Sequence, residues 1–264
     1  MIENKKLILD ICNISIRAGH EILKYYKDEI KIELKDDNSP LTKADLASNK
    51  IILNALNNFD TSIPILSEEL MVEWNKRKNW NKYWLVDPLD GTKEFIKKNG
   101  EFTVNIALIE NNKPILGVIF APVKSLLYFA QKNNGSYKIN TNVELDNLNR
   151  AKKILVSDKS NTTRIIGSRS HSNSTFDNWV LEKYPEAVIV QAGSSLKFCL
   201  IAEGSADIYP RFGPTSEWDI AAGHIIVNEA GGKIETFNKS YINYNTKENI
   251  LNPQFYAIGK VKLK

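Results

Sequence analysis

Four strand-forming runs crowd into residues 83–131, at 83–86, 102–109, 115–120 and 126–131, and they commit this stretch to a sheet. Asn111-Asn112 and residues 121–124 separate the last three as hairpin turns, so these neighbours run antiparallel. Two amphipathic helices precede the strands. Leu7, Ile11, Ile14, Ala18, Ile22 and Tyr25 predict a helix over 3–28, and Ala44, Ala47, Ile51, Ile52 and Ala55 predict another over 43–59. Thr42-Lys43-Ala44-Asp45 reads as a capping box with Asp in the place of Glu. Charged residues 31–37 and the turn cluster Asn38-Ser39-Pro40 lie between the helices. Residues 63–67 predict a short strand and 69–80 a polar helical patch. The first half therefore reads as two long helices against a largely antiparallel sheet.

The chain turns polar from 140 to 153, which predicts a boundary between an N-terminal half, 1–150, and a C-terminal half, 151–264. Beyond it, strands are expected at 154–156, 164–166, 187–190 and 206–209, with helices at 174–183, 195–203 and 218–230. This alternation argues for an α/β (α+β) layer sandwich. A chain of 264 residues, 42% of them hydrophobic, can bury a core of that size. The 35 basic and 31 acidic residues leave a net charge of +4. That mild excess, without basic clusters interleaved with aromatics, argues against nucleic-acid binding. Cys12 and Cys199 form neither a disulfide framework nor a zinc spacing, which points to a reducing compartment. Asp10, Asn13 and Arg17 interrupt the apolar residues near the start, so no signal peptide is expected. The best apolar run, 114–123, falls short of the ~18 residues of a membrane span and reads as a strand.

The densest chemistry lies in Asp87-Pro88-Leu89-Asp90-Gly91-Thr92. A buried strand delivers Asp87, Pro88 is expected to end its ladder, and Gly91 lets the backbone approach a ligand. Two carboxylates this close repel one another unless a cation sits between them. Oxygen donors without His or Cys favour Mg²⁺ over zinc. An Asx-type turn closing the strand is the plainer reading of the same residues. Ser67-Glu68-Glu69, at another strand end, offers a ligand or simply a solvated helix start. Asp45 is a cap or part of a water-activating group. Asp219, in the first turn of a helix, is a dipole-favoured acid or a ligand reaching the site from the second half. Gly193-Ser194-Ser195 before a helix and Gly167-Ser168-Arg169-Ser170-His171 after a strand supply N–H groups and hydroxyls that suit phosphate. His20 and His224 read as structural, and Cys199 as core.

Taken together, these residues resemble the inositol monophosphatase superfamily over nearly the whole chain. The motif 87–92, the upstream Glu68-Glu69 pair and Trp218-Asp219-Ile220-Ala221-Ala222-Gly223 carry the likeness. Residues 193–199 and 209–219 look like its CysQ branch of 3′(2′),5′-bisphosphate nucleotidases. That resemblance implies a layered αβαβα sandwich with the site between the two halves. It implies metal ligands at Glu68, Asp87, the carbonyl of Leu89, Asp90 and Asp219, for two or three Mg²⁺ ions, and inhibition by Li⁺. Thr92 and Asp45 map to the pair that activates water. Substrate contacts are expected from Gly91, Thr92, Ser168, Arg169, His171, Gly193, Ser194, Lys197, Arg211 and Asp219. The inositol-cleaving branch usually carries an acid near position 211. Arg211 therefore favours a doubly phosphorylated nucleotide over inositol phosphate or another sugar phosphate. A phosphate-binding protein without catalysis is the remoter alternative, and the presence of all the acids and Thr92 speaks against it. The expected location is cytoplasmic. Some CysQ relatives associate peripherally with the inner membrane, but no anchor is visible here. The oligomeric state is left open.

Overall fold

The computed structural model describes residues 5–27, 32–34, 40–158, 162–169, 174–261 and 263. Helix α1 (Lys5–Tyr26) is followed by β1 (Ile32–Leu34) and β2 (Pro40–Thr42), an antiparallel pair, and by α2 (Lys43–Phe59). Next come β3 (Ile65–Ser67), α3 (Trp74–Arg77), β4 (Lys82–Asp90), α4 (Thr92–Ile96), β5 (Thr103–Glu110), β6 (Lys113–Ala121), β7 (Leu126–Gln131), β8 (Gly135–Asn140) and β9 (Lys152–Ile154). The rest of the chain supplies β10 (Arg164–Ser168), α5 (Ser174–Lys183), β11 (Val188–Ala192), α6 (Leu196–Ala202), β12 (Ile208–Arg211), α7 (Glu217–Glu229), β13 (Lys233–Thr236) and β14 (Phe255–Ile258).

Strands β3 to β9 stand in sequence order in one sheet, antiparallel except for the β3–β4 pair. Side chains alternate across it with period two. Trp84, Val86, Val104, Ile106, Phe120, Leu127 and Phe129 meet Ile8, Ile11 and Ile22 of α1 and Ile52 and Leu56 of α2. Tyr83, Leu85, Ala107, Ile109, Ile119 and Tyr128 face the other way, onto Phe198 and Ile201 of α6 and Ile225 and Ile226 of α7. Each large apolar side chain so buried stabilises the fold by about 1.5–3 kcal/mol relative to exposure. The second sheet, in the order β11-β10-β12-β14-β13, packs on the far side of α6 and α7. Phe176, Trp179 and Val180 of α5 close its outer face over Ile165, Ile208 and Ile258. The layers are thus αβαβα.

Several expectations change in the structure. The β4 ladder does not stop at Pro88: Asp87 pairs with Asn105 and Asp90 with Thr103, so Pro88 and Leu89 oppose Val104 alone. This bulge removes the missing proline N–H from the ladder and bends the strand end. Only residues 74–77 of the 69–80 patch are helical. The Arg77 guanidinium is buried, donating to the carbonyls of Val72, Lys247 and Glu248 and to Asn245 Oδ1, and this draws the segment into loop. The strand expected at 154–156 falls at 152–154 and extends the first sheet beside β8, which the sequence did not announce. Strands β13 and β14 were likewise not anticipated. Residues 3, 4 and 28 of the expected first helix lie outside the described residues, as do 31 and 35–39.

His224 on α7 is buried in the middle layer, its Nδ1 2.8 Å from the Tyr244 hydroxyl. Burial pushes its pKa down, to about 4. The neutral ring fits the fold, whereas the unfolded chain takes up a proton from about pH 6.5 downward. Stability is therefore expected to fall by about 3 kcal/mol from this group alone between pH 6.5 and 4. Denaturant melts of the native chain and His224→Gln over that range check this. The variant should show the shallower pH slope; identical slopes would exclude His224 as the source.

Candidate active site

Strand ends and helix starts from both sheets meet at a cleft of ≈ 690 Å³. The ends of β3 and β4 bring Glu68, Asp87, Leu89 and Asp90; α4 begins beside them with Thr92; α7 brings Asp219; and the second sheet adds Ser168 and Arg211. Gly91, Ser194 and Lys197 also line this cleft. Asp45, Arg169 and Gly193 are not among the lining residues, and His171 lies outside the described residues.

Local turn chemistry and the candidate chemistry use the same side chains. Asp87 Oδ1 accepts the Leu89 N–H at 3.2 Å, so the Asx-type turn is real. The Thr42 capping box is also real: Asp45 Oδ2 accepts the Thr42 N–H at 2.8 Å and its hydroxyl at 2.6 Å. The other oxygen, Oδ1, accepts the Thr92 hydroxyl at 3.2 Å. The cap therefore locks the rotamer that aims Asp45 at Thr92. The same device recurs at α7, where Asp219 Oδ2 accepts the Ser216 N–H at 2.9 Å.

Asp90 is held most closely. Its Oδ2 accepts the Ser195 N–H at 2.6 Å and the Ser194 hydroxyl at 2.7 Å, with Ser195 Oγ at 2.6 Å and Asn105 Nδ2 at 3.3 Å. Thr103 lies within reach at 3.5 Å and touches Ser194 Oγ at 2.7 Å. Ser195 Oγ also sits 2.8 Å from the Asp219 carbonyl, which ties the start of α6 to the first turn of α7 beside the acids. Thr103 and Asn105 were missed by sequence reasoning, and Ser195, read there as a donor suited to phosphate, gives its N–H to Asp90 instead. Two polar residues alternating with Val104 and Ile106 in a buried strand were the available signal. Gly91 is left-handed at φ 91°, and a Cβ there would stand 3.1 Å from Ser194 Cβ, so glycine is what lets this turn approach.

Burial, with Asp90 and Glu68 facing it, pushes the Asp219 carboxyl up, to about 8. Like charges in one cleft carry a cost that the Ser216 N–H and Arg211 offset only in part at Asp219 and that a divalent cation relieves, and the donors are all oxygen. Among the described residues, no three acidic, His or Cys side chains are already drawn together as a ligand cluster. The acids line one cleft, with Asp90 Oδ2 turned to the serine turn. The residues fit a hard cation held by oxygen.

Arg211 donates to the Gly213 carbonyl at 3.2 Å and the Pro214 carbonyl at 2.8 Å, which fixes it in the cleft wall. Lys197 is buried, its Nζ 5.6 Å from the centre of the Tyr209 ring. Arg169, exposed and outside the cleft lining, forks onto Glu101 at 2.7 and 3.1 Å. Burial works to raise the Glu101 carboxyl; hydrogen bonds from Arg169 and the Gly193 N–H outweigh it and hold the group below the usual carboxylate value.

A family model described as the inositol monophosphatase family matches residues 4–260. A 3′(2′),5′-bisphosphate nucleotidase CysQ of Buchnera aphidicola is 48% identical, covering 96% of this chain and 94% of that protein. The protein of the same description from Salmonella typhimurium is 44% identical over 94% of this chain and 98% of its own. Among solved structures, CysQ from Bacteroides thetaiotaomicron superposes with a TM-score of 0.87 at 40% identity, covering 98% of this chain and 99% of that one. With a match running nearly from end to end, the chain belongs to the inositol monophosphatase family of metal-dependent phosphatases.

Proposed function

We propose that the chain removes the 3′-phosphate of adenosine 3′,5′-bisphosphate, giving AMP and phosphate, with Mg²⁺ as its metal. The observation that carries this is the content of one cleft: the carboxylates of Glu68, Asp87, Asp90 and Asp219, which suit a cation, together with Lys197 and Arg211, which suit a second phosphate. The relatives named as bisphosphate nucleotidases support the choice of substrate. A cytoplasmic location follows from such a substrate, and no helix among the described residues is long and apolar enough to cross a membrane.

In this reading Glu68, Asp87, the Leu89 carbonyl, Asp90 and Asp219 hold two or three ions. Bound Mg²⁺ supplies Lewis acidity and lowers the pKa of water. Thr92 donates its hydroxyl proton to Asp45, which leaves its lone pairs to accept from the attacking water and orient it. The N–H groups of Gly91 and Thr92 steady the phosphoryl oxygens. Ser168, Lys197 and Arg211 would hold the rest of the nucleotide, while the Ser194 hydroxyl, expected to touch substrate, is given to Asp90. Water's oxygen would bond to phosphorus, its proton passing toward Thr92 and Asp45, while the bond to the ribose 3′-oxygen breaks and that oxygen takes a proton from solvent to leave as a hydroxyl.

The test is phosphate release from adenosine 3′,5′-bisphosphate in Mg²⁺, with the nucleotide product separated by chromatography. AMP is expected, with inhibition by added Li⁺. Adenosine 3′-phosphate as the product, or no release, would overturn the reading.

A further inference from the structure

Glu101 precedes β5 and takes no part in the chemistry above, yet the residue is only 8% exposed and its carboxylate joins three segments far apart in sequence. Oε2 accepts Arg169 Nε at 2.7 Å and the Gly193 N–H at 2.8 Å; Oε1 accepts Arg169 Nη2 at 3.1 Å, with Lys124 Nζ at 3.7 Å. Arg169 also donates to the Gln191 carbonyl at 2.9 Å. The first sheet thereby grips the ends of β10 and β11 in the second. Gly193 fits so tightly that a Cβ there would meet Glu94 Cγ at 2.8 Å and the Glu101 carbonyl at 3.0 Å. The residue after it, Ser194, is held left-handed at φ 53°, a conformation non-glycine residues adopt only when their surroundings impose it. That strained turn delivers the Ser194 and Ser195 donors to Asp90.

We infer that Glu101, with Arg169, is a positioning residue: it clamps Gly193 so that the Ser194–Ser195 turn holds Asp90 in its ligating orientation across the two sheets. Arg169 is then spent on Glu101 and is not the phosphate contact its sequence context suggested. The clamp rests on the proposed role of Asp90 and has its own readout. Supports of this kind, when removed, cost about 10- to 100-fold in metal affinity or activity.

The test uses Glu101→Gln, Arg169→Met and the double variant of the full chain. Three quantities are followed: Mn²⁺ affinity by calorimetry, amide exchange of the peptide containing residues 193–195, and kcat and KM on adenosine 3′,5′-bisphosphate. Each single variant should weaken Mn²⁺ about tenfold or more, speed exchange at 193–195 and lower kcat. The double variant should be no worse than the worse single, because both remove one clamp. If Glu101→Gln does not fold, Arg169→Met carries the test, since the Arg169 side chain is 39% exposed. Native Mn²⁺ affinity and exchange in folded variants, with only KM raised in Arg169→Met, would overturn the clamp and return Arg169 to the substrate. A native chain inactive on the bisphosphate would defeat the proposed function instead, and the binding and exchange results would still judge the clamp.

Discussion

Asp90→Asn is expected to lower Mg²⁺-dependent phosphate release by orders of magnitude while leaving the fold intact. The substitution is nearly isosteric. Its carboxamide oxygen can take the place of Oδ2, accepting the Ser195 N–H and the Ser194 hydroxyl that now fix Asp90. The amide NH₂ then occupies the second position, where a donor replaces an anionic oxygen. A hard divalent cation is not held by a donor. Turnover in saturating Mg²⁺ and a thermal melt check both halves of the expectation. An unchanged rate would remove Asp90 from the site, and a collapsed melt would mean that its hydrogen bonds serve the fold first.

Thr92→Ala separates activation of water from metal binding. The Thr92 hydroxyl bridges Asp45 Oδ1 at 3.2 Å and the Leu89 carbonyl at 3.4 Å, and it heads a five-residue helix that does not need it as a cap. Removing it deletes a proton acceptor without deleting a carboxylate. General acid–base groups contribute about 10²–10⁴-fold, so kcat should fall by that order with Mg²⁺ affinity little changed. Thr92→Ser should recover most of the rate, because the hydroxyl is kept. A parallel loss of metal affinity in Thr92→Ala would instead make Thr92 a support of the metal site.

Burial on both faces made three strands of the first sheet legible in the sequence. Strands β5, β6 and β7 lie between α1 and α2 on one side and α6 and α7 on the other, so they read as largely apolar runs, broken in β5 by Thr103 and Asn105. Strand β8 carries Ser136 and Lys138, and its clearest apolar contact, Tyr137 stacked on Phe129 at 5.5 Å, is set by a partner strand. No local pattern announces it. The motif 87–92 was legible because a strand, a proline and two acids crowd into six residues, although the bulge that carries β4 through Pro88 is a property of its pairing with β5. Glu101 and Arg169 are 68 positions apart, and neither has a neighbour that marks it as half of a clamp. Capping explained Asp45, and a favourable helix dipole explained Asp219, from sequence alone. Only the structure shows that Asp45 spends one oxygen on its cap and turns the other to Thr92.

The central claim is that acids from distant stretches of the chain cage a divalent cation against a doubly phosphorylated nucleotide. The most direct measurement is kcat/KM for adenosine 3′,5′-bisphosphate and for inositol 1-phosphate, each in Mg²⁺ and after chelation. The account predicts a clear preference for the nucleotide and loss of both activities on chelation, restored by added Mg²⁺. Full activity in chelator, or a preference for inositol 1-phosphate, would contradict it.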